Sequence, residues 1–308
     1  MNETTMPPRY DVAVVGAGPA GASAAINVKN RGRSVVLLAG QTPFSHISGP
    51  HLIANFAGFG ETTGEALAAA LGRHLSALEV PVVTEKVTRI VRDGAGEPTD
   101  GFVLFAGDEI HRARSVVLAT GVLLEGSIEG EEDLLGQGVS YCVTCDGRLF
   151  AGRRVVFISY GPPGEDEASE LADAFGVEVT YLPQYQADYR LAAGVRVLEG
   201  SRPERLARVD GGVQVALGGG RAGEPLVADA VFVSREAVAP TALLDGLETD
   251  GPHLVVDGRL QTTVPGVFAA GDCTGEPYQV AKAVGQGQVA ALAAVRLLRE
   301  QTEVVAGV

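Results

Sequence analysis

The chain has 308 residues and a formal net charge of −14, with 46% hydrophobic and 20% charged residues. That is enough for two ordinary domains, and it argues against nucleic acid, whose phosphates demand a basic face that no lysine- or arginine-rich run supplies. The polar start MNETTMPPRY predicts no signal peptide, and no apolar stretch is long enough to span a bilayer, so a cytoplasmic protein with no membrane partner is expected.

DVAVV (Asp11 to Val15) reads as an apolar strand. It runs into GAGPAG (Gly16 to Gly21), a small-residue helix, and a second strand, SVVLLA (Ser34 to Ala39). This is a βαβ unit with G-x-G-x-x-G at its first turn. Gly16 permits the tight turn, Gly18 lets a pyrophosphate approach the backbone, and Gly21 lets helix and strand pack closely. The turn continues through Pro19 and Ala20 into a helix whose free N–H groups suit a phosphate. One element departs from the pattern: the second strand ends Ala39-Gly40, without the acidic residue that would bind ribose hydroxyls.

RSVVLATG (Arg114 to Gly121) predicts a buried strand ending in the turn Ala119, Thr120, Gly121. Then comes YCVTCDG (Tyr141 to Gly147). Its CxxC spacing lets Cys142 and Cys145 close a small ring, with one thiol acidified by its surroundings. Zinc needs four ligands, and the neighbouring sequence offers one pair and no histidine. Asp146 reads either as a helix N-cap or as the acid that protonates a departing thiolate. RRVVFI (Arg153 to Ile158), the turn SYGPPGEDEA (Ser159 to Ala168), a helix and VEVTYL (Val177 to Leu182) form a second βαβ unit. Near the end, GVFAAGDCTGEPYQVAKAVGQGQVAA predicts a strand closing at Gly271 and Asp272, then a long helix through Gln279, Val280 and Ala281. Asp272 can bind a ribityl hydroxyl, or it caps a helix. The order predicts an α/β chain with two Rossmann-like three-layer nucleotide-binding domains, the second inserted in the first. The outer one takes residues 1–118 plus 238–308, and the inner one 119–237.

The series GAGPAG, ATG, CVTCDG and GD…Q-x-A-K-A resembles the low-molecular-weight thioredoxin reductases, of the pyridine nucleotide-disulfide oxidoreductase fold, over nearly the whole chain. The resemblance implies FAD on the outer domain, a redox-active CxxC on the inner one, a homodimer, and a thioredoxin or thioredoxin-like protein as partner. It implies that Cys145 faces the flavin, that Cys142 attacks the partner's disulfide, and that Asp146 is the acid. It adds Asn55, in IANFAGF, and Val87 to the flavin site. Cys273 has no partner in the family pattern and reads as an ordinary buried residue.

The usual members carry G-x-G-x-x-A in the inner domain and a histidine-and-arginine cluster after its second strand, for NADPH. Here the turn is Gly161-Pro162-Pro163-Gly164. Prolines remove N–H donors, and Glu165, Asp166 and Glu167 crowd the helix start, where they would repel phosphate. PQYQADYR follows the next strand, with no arginine cluster. NADPH is therefore not expected. This resembles an NADPH-independent branch of the family, the ferredoxin-dependent flavin thioredoxin reductases and diflavin-linked disulfide oxidoreductases. SYCVTCDG, the Gly161…Glu165-x-Glu167-Ala168 turn, YLPQY, and PYQ in place of YRQ carry the likeness. It implies ferredoxin or another one-electron donor. TEVVAGV at the end holds no aromatic to cover the flavin, leaving room for a second flavin. Arg190, Arg196, Arg202, Arg205 and Arg208 read as a basic patch for an acidic donor or as scattered solubilising charge. The alternatives are an NADPH thioredoxin reductase with a divergent site, an oxygen-coupled dithiol oxidase, and a non-catalytic flavin-bearing module.

Overall fold

The structure, a computed structural model, describes residues 9–40, 43–44, 47–48, 52–94, 100–124, 127–219, 222–235, 237–238 and 240–306, with residues 123–124, 132, 145, 237–238 and 304–306 described by their backbone alone. The first sheet takes β1 (Arg9–Val15), β2 (Val35–Leu38), β3 (Val82–Val83), β4 (Val87–Asp93), β5 (Gly101–Ala106) and β6 (Glu109–Leu118), in the order β3-β2-β1-β6-β5-β4. β1 pairs in parallel with β2 and β6, so Val12–Val15 are buried on both faces. That is why DVAVV reads as an unbroken apolar run rather than an alternating one. Val12 and Val14 face α1 (Pro19–Lys29), while Ala13 and Val15 face the opposite core, with Phe102 and Leu104 of the antiparallel β4–β6 meander. A further helix, α2 (Gly64–Ala77), is N-capped by the Thr63 hydroxyl, which accepts from the Ala66 amide at 3.1 Å.

The second parallel sheet is built from β7 (Val139–Ser140), β8 (Arg154–Ser159), β9 (Glu178–Pro183), β10 (Arg196–Val197) and the later strand Ala230–Ser234, which lies between β7 and β8. Between β7 and β8 stands the one-turn α3 (Val143–Asp146), and α4 (Pro163–Phe175) crosses from β8 to β9. An antiparallel sheet of β11 (Ser201–Val209), β12 (Gly212–Gly219) and β13 (Leu226–Ala228) covers one face of the second sheet, with Val213, Val215 and Leu217 against Val156 and Ile158. The other face holds Val155 and Phe157 against Ala168 and Leu171 of α4. The strand Ala230–Ser234 is β14, and β15 (Val267–Ala269) then returns to the first sheet to pair with β6. α5 (Val280–Ala306) packs along α1 through a stripe of alanines, among them Ala22, Ala24, Ala290, Ala291 and Ala294. The second Rossmann-like unit is thus inserted in the first. Among the described residues no helix is long and apolar enough to cross a membrane.

Candidate active site

The first crevice opens at the carboxyl ends of β1, β6 and β15. Gly16 sits at φ +105°, and a Cβ there would lie 2.2 Å from the Ala119 carbonyl oxygen. A Cβ on Gly21 would lie 1.8 Å from the Gly16 oxygen. Both glycines therefore serve the packing of turn, helix and Ala119-Thr120-Gly121. Gly18 differs: nothing lies within 4 Å of its Cβ position, and it is the N-cap of α1 with no side-chain cap and no acidic residue in the first turn. The amino end of α1 is thus an open anion site.

The C-terminal segment completes this crevice. Gly271, at φ +85°, comes so close to Ala20 that a Cβ would lie 2.9 Å from the Ala20 Cβ. Asp272 opens a short 3-10 helix (Asp272–Thr274) well before α5, so it is not the cap of the long helix. Its Oδ1 is buried and has no hydrogen-bond partner of the protein's own, and burial pushes its pKa up to about 6 against the opposing pull of the Lys282 ammonium. Burial also lowers the Lys282 pKa. Lys282 donates to the Gly271 carbonyl at 3.2 Å and also to that of Gly275. The Asn55 amide donates to Gln279 Oε1 at 2.7 Å and ties two segments 224 positions apart. Val280 and Ala281 begin α5, and Val87 opens β4, buried with Val15 and Leu38. An open helix end, an orphaned carboxylate oxygen and glycines that clear the turn fit a dinucleotide such as FAD.

Sequence patterns did not reveal two supporting residues. Gln286 Oε1 accepts from the Gly271 amide at 2.9 Å and from the Thr274 hydroxyl at 3.1 Å. Gly287 lets α5 approach α1, since its Cβ would lie 2.1 Å from the Ala20 oxygen. The G-Q-G spacing was the available signal.

Cys142 is disulfide-bonded, while Cys273 is a free, buried thiol whose pKa burial pushes up to about 11. The Cys145 side chain lies outside the described atoms. Val143, between the cysteines, is buried in the core with Phe157, Ala168 and Leu171, and so pins α3 to the second sheet. Gly147 is needed there as well, because a Cβ would lie 2.9 Å from Phe175 and 3.0 Å from Leu171. On its other side α3 lies against the two-residue strand Leu52–Ile53, which leads to Asn55. The cysteine segment therefore stands beside the first crevice.

Asp146 precedes a 3-10 turn but makes no capping hydrogen bond. Its buried carboxylate instead accepts from the Ser140 hydroxyl at 2.6 Å, and that hydroxyl accepts from the Cys142 amide at 3.1 Å. Beneath this loop lies Glu131, which accepts from the Ile128 amide at 2.8 Å and from two Arg235 nitrogens, one of them at 2.5 Å. Burial raises the Glu131 pKa, but the bonds from Arg235, the Ile128 amide and the Tyr141 hydroxyl outweigh it and leave the carboxyl below its usual range. The Arg235 guanidinium lies 4.8 Å over the Tyr160 ring. Ser140 stands in the SYCVTCDG motif without a role assigned to it from sequence, and Glu131 and Arg235 carried no motif signal. Among the described residues no cluster of three or more His, Cys, Asp or Glu side chains is placed to hold a metal.

The second phosphate-type turn keeps the geometry of the first with other residues. A Cβ on Gly164 would lie 2.1 Å from Ser159 Oγ, as that of Gly21 would meet Gly16. Yet the amides of Gly164 and Glu165 already donate to the oxygens of Gly161 and Pro162, at 3.3 and 3.0 Å. Glu165, read from sequence as a phosphate-repelling charge at the helix start, is buried at 7% exposure. Glu167 is half-buried, and burial, together with the nearby Glu276 and Glu170 carboxylates and against a bond from Ser234, pushes its pKa up to about 6. Arg190, Arg196, Arg202, Arg205 and Arg208 are all exposed.

Comparison with known proteins agrees with this architecture. A profile of the pyridine nucleotide-disulphide oxidoreductases matches residues 10–287. The chain is 33% identical over 306 residues to a component of the alkyl hydroperoxide reductase of Pseudomonas putida, covering 92% of this chain and 57% of that protein. It thus spans little more than half the length of that relative. A crystal structure of a ferredoxin-flavin thioredoxin reductase from Clostridium acetobutylicum is 32% identical, with a TM-score of 0.55 over 96% of this chain and 99% of that one. Thioredoxin reductase of Streptococcus pyogenes MGAS5005, at 24% identity, shares the fold with a TM-score of 0.81 over 95% of this chain and 99% of that one. The matched span covers both Rossmann-like units, including the cysteine segment within the second, and the chain belongs to the pyridine nucleotide-disulphide oxidoreductase family.

Proposed function

We propose that this chain is a flavin-dependent disulfide oxidoreductase of the thioredoxin-reductase kind, fed by ferredoxin, another one-electron donor or a second flavin, and not by NADPH. Residues 1–118 plus 238–308 hold FAD, and residues 119–237 carry the redox pair. The partner is a thioredoxin-like protein, and the enzyme works as a homodimer. The contrast between the two crevices carries this reading: the end of α1 is open and uncapped, while the end of α4 is engaged by the protein's own groups.

FAD held in the first crevice and reduced by the donor would supply two electrons for opening the disulfide between Cys142 and Cys145. Cys142, as thiolate, attacks the partner's disulfide. Asp146, held by Ser140, gives a proton to the sulfur that leaves. Cys145 then displaces the partner, which departs as a dithiol while the Cys142–Cys145 bond re-forms. Cys142→Ser is expected to abolish partner reduction while leaving the flavin reducible.

The test is an anaerobic titration followed by flavin absorbance, first with NADPH and then with chemically reduced ferredoxin. Bleaching by ferredoxin alone is expected. Prompt bleaching by NADPH would make this an NADPH thioredoxin reductase, and peroxide formed from dithiol and oxygen without any donor would make it a dithiol oxidase.

A further inference from the structure

In a Rossmann-like unit a dinucleotide runs from the phosphate turn to the end of the second strand, where its ribose is bound. In the second unit that path leads from Gly161 and the start of α4 to the residues after β9. Glu165 bridges it. Its carboxylate accepts from the Tyr185 hydroxyl at 2.6 Å and from the Arg190 amide at 2.7 Å. Burial and the bond to Glu165 raise the Tyr185 pKa, so the phenol keeps its proton and remains the donor.

The segment 184–192 is held at further points. The Tyr185 hydroxyl lies 2.9 Å from that of Tyr181, and the Tyr189 hydroxyl donates to the Tyr185 carbonyl at 2.9 Å. The Ala192 amide donates to Ser169 Oγ at 3.0 Å, which itself donates to the Glu165 carbonyl at 2.7 Å. Gln184 is fixed by its amide to the Ser159 carbonyl at 2.7 Å and by its side chain to that of Ser201 at 3.1 Å. Glu165 is the charged member, and it joins strap to helix. A buried carboxylate without such donors would be costly, so helix and strap are mutually dependent.

We propose that Glu165 is the nucleotide-excluding residue of this chain: it occupies the path between phosphate turn and ribose end, and it holds residues 184–192 folded across that path. This rests on the NADPH-independent reading above and adds a residue and a mechanism to it. A dinucleotide would have to break both Glu165 bonds, lift the strap, and bring its phosphates up to a carboxylate already in place. Repulsion from surface charge would be screened by salt; a folded strap would not.

The experiment is amide hydrogen exchange on the FAD-loaded protein, with and without NADPH, for wild type, Glu165→Ala and Tyr185→Phe. In Glu165→Ala, exchange at residues 185–192 is expected to rise at least tenfold, with residues 10–29 unchanged. Tyr185→Phe removes a single donor, is the milder variant should the first fail to fold, and is expected to give a smaller rise at the same residues. NADPH is expected to leave wild-type exchange at residues 160–192 unaltered, even in high salt. Unchanged strap exchange in both variants would overturn the assignment of Glu165 while leaving the one-electron reading intact. Protection of wild-type residues 160–192 by NADPH without flavin bleaching would also overturn it, and bleaching by NADPH would sink the broader reading instead.

Discussion

At Asp272 the protein keeps a carboxylate where nothing of its own satisfies one oxygen. Its pKa is raised to about 6, so in the flavin-free protein the native state holds a proton that an unfolded chain, at about 3.9, has released. Its stabilising contribution is complete below the unfolded value and is lost as pH rises through about 6. Glu167, also raised to about 6, acts in the same direction. The thermal midpoint of the apo-protein is therefore expected to rise as pH falls from 7 to 5. Asp272→Asn and Glu167→Gln should each reduce that slope, by scanning calorimetry. Gly16 and Gly21 were legible because the local backbone dictates them. Glu131 was not: Arg235, which neutralises it, lies 104 positions away.

At the scale of elements, the first βαβ turn separates two uses of glycine. Gly21→Ala would drive a methyl into the Gly16 carbonyl and is expected to cost about 3 kcal/mol of stability or more. Gly18→Ala meets no protein atom at a φ of −78° that alanine adopts freely. It should change stability by less than about 1 kcal/mol while weakening FAD retention at least tenfold, by urea unfolding of the apo-protein and flavin release. The α4 turn taught the reverse lesson. GEDEA read as an acidic helix start that repels phosphate, yet Glu165, Ala168 and Leu171 fall three apart on one buried face. Helical periodicity therefore held the signal that Glu165 turns inward, and composition concealed it. A related element-level test is Glu131→Gln. It leaves Arg235, whose side chain is 3% exposed, without its counter-charge and should cost about 3–5 kcal/mol by urea unfolding.

For the molecule as a whole, alternating strands and helices made the parallel parts of both sheets and the insertion legible. The β11–β13 sheet was not anticipated, although Val209 pairs with Gly212 across Asp210-Gly211, a two-residue hairpin turn that was the available signal. The position of α3, against both the second core and the strand Leu52–Ile53, is a property of the assembled chain. One further consequence follows from β15 and α5, which complete the first sheet and crevice from the far end of the sequence. On a translating ribosome the cysteine-bearing unit is synthesised entire while the first crevice still lacks Asp272, Gln279 and its last strand. Nascent chains arrested before residue 267 should therefore fold the cysteine-bearing unit yet stay colourless, and loading with FAD becomes an event of chain completion.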